Sequence, residues 1–71
     1  MTLRSAIIEK ERICDLMRAC KTVQQLRDVW TAELDAIVAL REKDRALGIQ
    51  VVNLKDQLKS VLRNDPARQA P

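Results

Sequence analysis

Residues 23–61 read VQQLRDVWTAELDAIVALREKDRALGIQVVNLKDQLKSV, and their spacing decides the fold class. One register runs Val23, Leu26, Trp30, Glu33, Ile37, Leu40, Asp44, Leu47, Val51, Leu54, Leu58, Val61, alternating steps of three and four. Ten of these twelve positions are apolar, and the two exceptions, Glu33 and Asp44, are both acidic. An apolar stripe held near a 3.5-residue period over this length is the seam of a packed helix. A single helix across it would be about 58 Å long at ~1.5 Å per residue. The spacing therefore predicts an all-α protein whose long second helix needs another helix to cover it.

Toward the N-terminus, a first helix is expected from Leu3 to Cys20. On a helical wheel Leu3, Ala6, Ile7, Ile13, Cys14, Leu16, Met17 and Cys20 share one broad side, with Arg4, Glu11, Asp15 and Arg18 opposite. Lys10 falls inside the apolar half, as a snorkelling stem would, and Ile8 falls on the polar side. Thr22-Val23-Gln24-Gln25 fits a capping box, in which the Thr hydroxyl takes the Gln25 amide while the Gln side chain reaches back. A tight connection at this cap makes the two helices antiparallel neighbours. Ile13, Met17, Leu26, Trp30 and Ile37 are the expected hairpin core, with Trp30 packed on the first helix near Met17 or Ile13.

Toward the C-terminus, Gly48 admits two readings. It can end a helix, with Asn53 capping a third, or it can sit within one continuous helix to Leu62 at a cost of about 1 kcal/mol. The unbroken register from Leu40 through Leu54 favours continuity. The expected architecture is thus a helical hairpin over residues 1–63, with Asn64–Pro71 a disordered tail. The short first helix, ~27 Å long, covers less than half of the long one. Leu40, Leu47, Val51, Leu54, Leu58 and Val61 would then be left for a coiled-coil-like homodimer seam. Glu33 and Asp44 would either pair with basic groups where the seam is exposed or set register between subunits.

The 71 residues include no His, no Tyr, one Gly and two Cys, and this excludes most chemistry. A glycine-rich phosphate loop is impossible, and Ser5 and Ser60 have no base and orienting group at hand. A zinc site lacks ligands, and no cofactor is expected. Cys14 and Cys20 point about 120° apart on one helix. They read as small buried hydrophobes in a reducing compartment, with an intersubunit disulfide or reactive thiol as alternatives. No apolar run is long enough to span a membrane or form a signal peptide, so a cytoplasmic location is expected.

Charge is placed unevenly. Residues 1–40 carry six basic and six acidic groups, whereas residues 41–71 carry seven and four, which accounts for the net +3. Arg41 and Arg45 form one ridge at helical spacing, and Lys55, Lys59 and Arg63 form another. They suit an acidic protein surface, or phosphates, although no interleaved aromatic residues are present to stack bases.

The segment Ala19-x-x-Thr22-x-x-x-Leu26-x-x-x-Trp30 resembles the helical tail segments of phage recombination proteins of the single-strand-annealing kind. The similarity covers residues 19–30, and no counterpart of the annealing domain lies in these 71 residues. The resemblance implies a phage-like origin and a protein-contact module, without annealing activity. The leading expectation is a non-enzymatic homodimeric regulator or inhibitor that binds a larger protein through Arg41, Arg45, Lys55, Lys59 and Arg63. The alternatives are a nucleic-acid-binding accessory factor using the same ridges, and a structural coiled-coil subunit.

Overall fold

In the computed structural model, residues 2–64 are described, and they are helical throughout apart from short connections. Four helices follow in order: α1 (Leu3–Arg18), α2 (Val23–Ala32), α3 (Leu34–Lys43) and α4 (Arg45–Asn64). No strand occurs among the described residues, and none of their helices is long and apolar enough to cross a membrane. Asn64, expected as the start of the tail, ends α4, and the rest of the expected tail lies outside the described residues.

Local signals in the sequence set the helix ends. Thr2 caps α1 by accepting the Ser5 amide at 3.1 Å. Thr22 caps α2 by accepting the Gln25 amide at 3.1 Å. Gln25 reaches back as a capping box requires, but its Oε1 takes the Lys21 amide, at 2.8 Å, one residue before the cap. The first helix stops at Arg18, two residues short of the expected Cys20.

The expected long second helix is divided, and the two acidic residues of the register mark the divisions. At Glu33 the break is a kink: φ is −101° and ψ 9°. Glu33 still donates to Val29 O and Ile37 still donates to Glu33 O, both at 2.9 Å, so α2 and α3 form one bent rod. At Asp44 the chain turns back. Its backbone is extended (φ −149°, ψ 108°). Its amide closes α3 on Leu40 O at 2.9 Å, and its carboxylate caps α4 by accepting the Ala46 amide at 2.9 Å. A short acidic side chain in extended backbone is a strong N-cap. The helix does run unbroken through Gly48 and Asn53; the break comes four residues before Gly48.

The result is an up-down-up arrangement of three rods. Arg12 of α1 meets Glu33 at the kink, and Lys10 of α1 meets Gln50 of α4. Stepping back along α2–α3 from Arg41 to Trp30 steps forward along α4 from Gly48 to Lys55, so these two rods are antiparallel. Ala6, Ile13, Cys14 and Met17 from α1 meet Leu26, Ile37 and Leu40 from the middle rod and Leu47, Val51 and Leu62 from α4 in one buried core.

This packing changes the reading of the proposed seam. Leu40 and Val51 are fully buried and Leu47 nearly so, within the chain's own core. Leu54 and Leu58 are half-buried against it, and Val61 alone of the six is exposed. The stripe that called for a second molecule is covered largely by α4 folding back. A register can continue through such a turn because each arm presents its own stripe to the same core. The sequence argument for a homodimer rested on that stripe being uncovered, and that premise does not hold.

Candidate functional site

The largest side chain of the protein is the one the core leaves half covered. Trp30 on α2 lines a cleft of about 190 Å³ with Val23, Leu26 and Arg27 of α2 and Lys55 and Lys59 of α4. Val23, Arg27 and Trp30 stand at i, i+4 and i+7, one row of a helix surface. Lys55 and Lys59 are an i, i+4 pair on the facing rod. The antiparallel contact between α2 and α4 brings the two rows together.

The Lys55 ammonium sits 4.4 Å from the centre of the Trp30 ring, a cation–π contact worth roughly 0.5–1 kcal/mol at a surface. Its Nζ also lies 3.5 Å from Asp56 Oδ1. Lys55 is thus drawn across the ring, and Arg27 and Lys59 complete a cationic rim over an apolar floor. The lining presents positive charge and apolar surface, with no carboxylate, thiol or hydroxyl side chain in it. Such a surface can hold an anionic group carried beside an apolar one.

The residues expected from sequence are redistributed. Ile13, Met17, Leu26 and Ile37 are buried. Trp30 packs partly on the core that includes Ile13 and Met17, and its ring also meets α4, under the Lys55 ammonium. Lys55 and Lys59 come together at the cleft. Arg41 and Arg45 do not share a helix, since the Asp44 turn lies between them; both are exposed near that turn, at the opposite end of α4 from exposed Arg63. Sequence reading gave Arg27 no role and Val23 none beyond the apolar register. The signal for both was the Val23–Arg27–Trp30 spacing.

A second, more open cleft of about 360 Å³ lies between α1 and α2, lined by Leu16, Ala19, Cys20, Gln25, Asp28 and Val29. Cys20 donates to Leu16 O at 3.4 Å. Burial first, and then the Asp28 charge, push its thiol up from the usual range. Burial likewise raises Cys14, so neither is an activated nucleophile. Lys10, half-buried, places its ammonium 2.8 Å from Glu11 at the surface, as a snorkelling side chain does. Among the described residues no group of three or more His, Cys, Asp or Glu is placed to hold a metal ion. No protein-family model, curated protein or solved structure matches this chain.

Proposed function

We propose that the chain is a non-enzymatic interaction protein, a small regulator of phage type that occupies an acidic surface on a larger protein. The observation that carries this reading is the Trp30 cleft, where Arg27, Lys55 and Lys59 surround a partly exposed indole. Tryptophan and arginine are the residues that most often dominate interface energies, and rim cations mainly speed association and select acidic partners. Homodimerisation is not part of the proposal, because Leu40, Leu47 and Val51 are already buried within one chain.

The test is a photo-crosslinking residue at position 27 or 59 in the cells that produce the protein, with exposed Arg4 of α1 as a distant control site. A discrete protein adduct at the cleft positions is the expected result, lost from position 59 on adding Arg27→Glu and from position 27 on adding Lys59→Glu, with unchanged melting temperatures. The competing nucleic-acid reading predicts a DNA affinity that falls steeply between about 50 and 200 mM salt. That behaviour, without a protein adduct, would replace the proposal.

A further inference from the structure

The two rows of residues that meet at the Trp30 cleft continue along both rods beyond it. Within α3, Arg41 marks the side that faces α4, since its Cβ packs where Gly48 lacks one. Val38 and Leu34 stand three and seven positions before Arg41, on that same side of the helix. Both are substantially exposed, at 48% and 44%. The row on the middle rod therefore reads Arg27, Trp30, Leu34, Val38, Arg41. On α4 the facing row reads Arg45, Gly48, Val52, Lys55, Lys59, again at helical spacing, with Gly48 buried beneath the Arg41 side chain. Five of these ten residues are cations, none is acidic, and an apolar strip runs between the charged ends.

We infer that the groove between these rows receives an acidic amphipathic helix from the partner protein, laid against α2–α3 and α4 as a fourth helix. The inference rests on the proposed function above and names the kind of partner segment. Three features fit an α-helix in particular. The groove lies between two antiparallel rods, where bundles add their next helix. Its α4 wall from Arg45 to Lys59 is about 21 Å long at ~1.5 Å per residue, the length of roughly four turns. Its apolar residues Trp30, Leu34 and Val38 stand at i, i+4 and i+8, a row long enough for the i, i+3, i+4 and i+7 anchors of a helix laid beside it. Charge complementarity sets the flanks: Asp and Glu on both edges of the incoming helix would meet Arg41 and Arg45 at one end and Arg27 and Lys59 at the other.

The probe is a displayed library of 15-residue peptides, with Leu, Ile or Met at i, i+3, i+4 and i+7, and Asp or Glu on the flanks. A matched library has the same composition in scrambled order. Both are selected against the full 71-residue chain, and because Trp30 is the only tryptophan, binding of tryptophan-free peptides is read directly from its emission. The expected result is enrichment of the helical pattern alone, with at least tenfold loss of affinity in Lys59→Glu and in Val38→Glu. Val38→Ser is carried in parallel as the milder change, and circular dichroism confirms that each variant is folded. Equal enrichment of scrambled peptides, still lost in Lys59→Glu, would overturn the helix inference and leave the acidic-partner reading standing. Enrichment of neither library, or binding indifferent to both positions, would overturn the inference. Tighter binding of a single-stranded oligonucleotide than of any peptide would overturn both.

Discussion

Arg12 grips Glu33 with two nitrogens, Nη1 to Oε1 at 3.0 Å and Nη2 to Oε2 at 2.7 Å, and so fastens α1 to the kink between α2 and α3. Glu9 shares the same guanidinium, at 3.2 Å from Nε and 2.8 Å from Nη2. These hydrogen bonds hold both carboxyls below the usual carboxylate range, and the two carboxylates in turn raise Arg12. A carboxyl with a lowered folded pKa stabilises the fold fully above its unfolded value, about 4.3, and loses that contribution as pH falls through the folded value. Because Arg12 is exposed and Glu9 and Glu33 are partly so, solvent screens the network, which contributes on the order of 1 kcal/mol or less. Urea melts should show Glu9→Gln/Glu33→Gln less stable than wild type at pH 7, with the gap closing below about pH 4. A gap that persists unchanged at pH 3 would assign the loss to something other than these charges.

Gly48→Ala should destabilise the protein although it improves helix propensity. Alanine gains about 1 kcal/mol over glycine inside a helix. Here its Cβ would lie 2.7 Å from Arg41 Cβ, 2.9 Å from Cγ and 3.0 Å from Cα. The last of these is backbone, so α3 and α4 must move apart, and overpacking of this kind costs typically 1–3 kcal/mol. A net loss of stability in thermal or urea melts is expected. A net gain would mean that the two helices separate without cost.

Thr22→Ala tests whether the α1–α2 junction is built by its cap. The mutant loses the acceptor for the Gln25 amide, for a cost of about 1 kcal/mol. Gln25→Ala removes only the bond to the Lys21 amide and should cost less. Coincident melts of Thr22→Ala and wild type would show that core packing alone fixes the junction.

The fold class and the Ala6, Ile13, Cys14 and Met17 side of α1 were legible in the sequence because they follow from helical periodicity, and the Thr22 cap because its signal is local; Leu3, Ile7 and Leu16, expected on the same side of α1, are exposed. The division of the long helix was not read, although its marks were present. Glu33 and Asp44 stood out as the two charged members of an apolar register, but a kink and a turn leave that register unshifted. Asp44 could be recognised as a cap only by weighing its own chemistry above the continuity of Leu40 and Leu47. Gly48 drew attention as a breaker, whereas it serves a close approach that no local pattern reveals. The groove was half legible: Lys55 and Lys59 were singled out, but Arg27, Leu34 and Val38 join them only once α4 has folded back.

Asp44 holds the turn that folds α4 back onto its own chain. With leucine at position 44 the cap for the Ala46 amide is gone, and the register from Val23 to Val61 gains another apolar member at the turn. A continuous α3–α4 helix would carry Leu47, Val51, Leu54 and Leu58 away from their own core, and a second copy could supply the missing rod by exchange. In wild type the turn wins because folding back avoids the loss of translational and rotational freedom, roughly 4–15 kcal/mol, that association requires. Light scattering after size exclusion should give wild type the mass of one 8.1 kDa chain and Asp44→Leu the mass of two at micromolar concentration. Asp44→Ala, which removes only the cap, should stay monomeric and lose about 1 kcal/mol. An Asp44→Leu protein that remains a monomer with unchanged helicity would show that the Arg41–Gly48 contact and the core hold the turn without the cap.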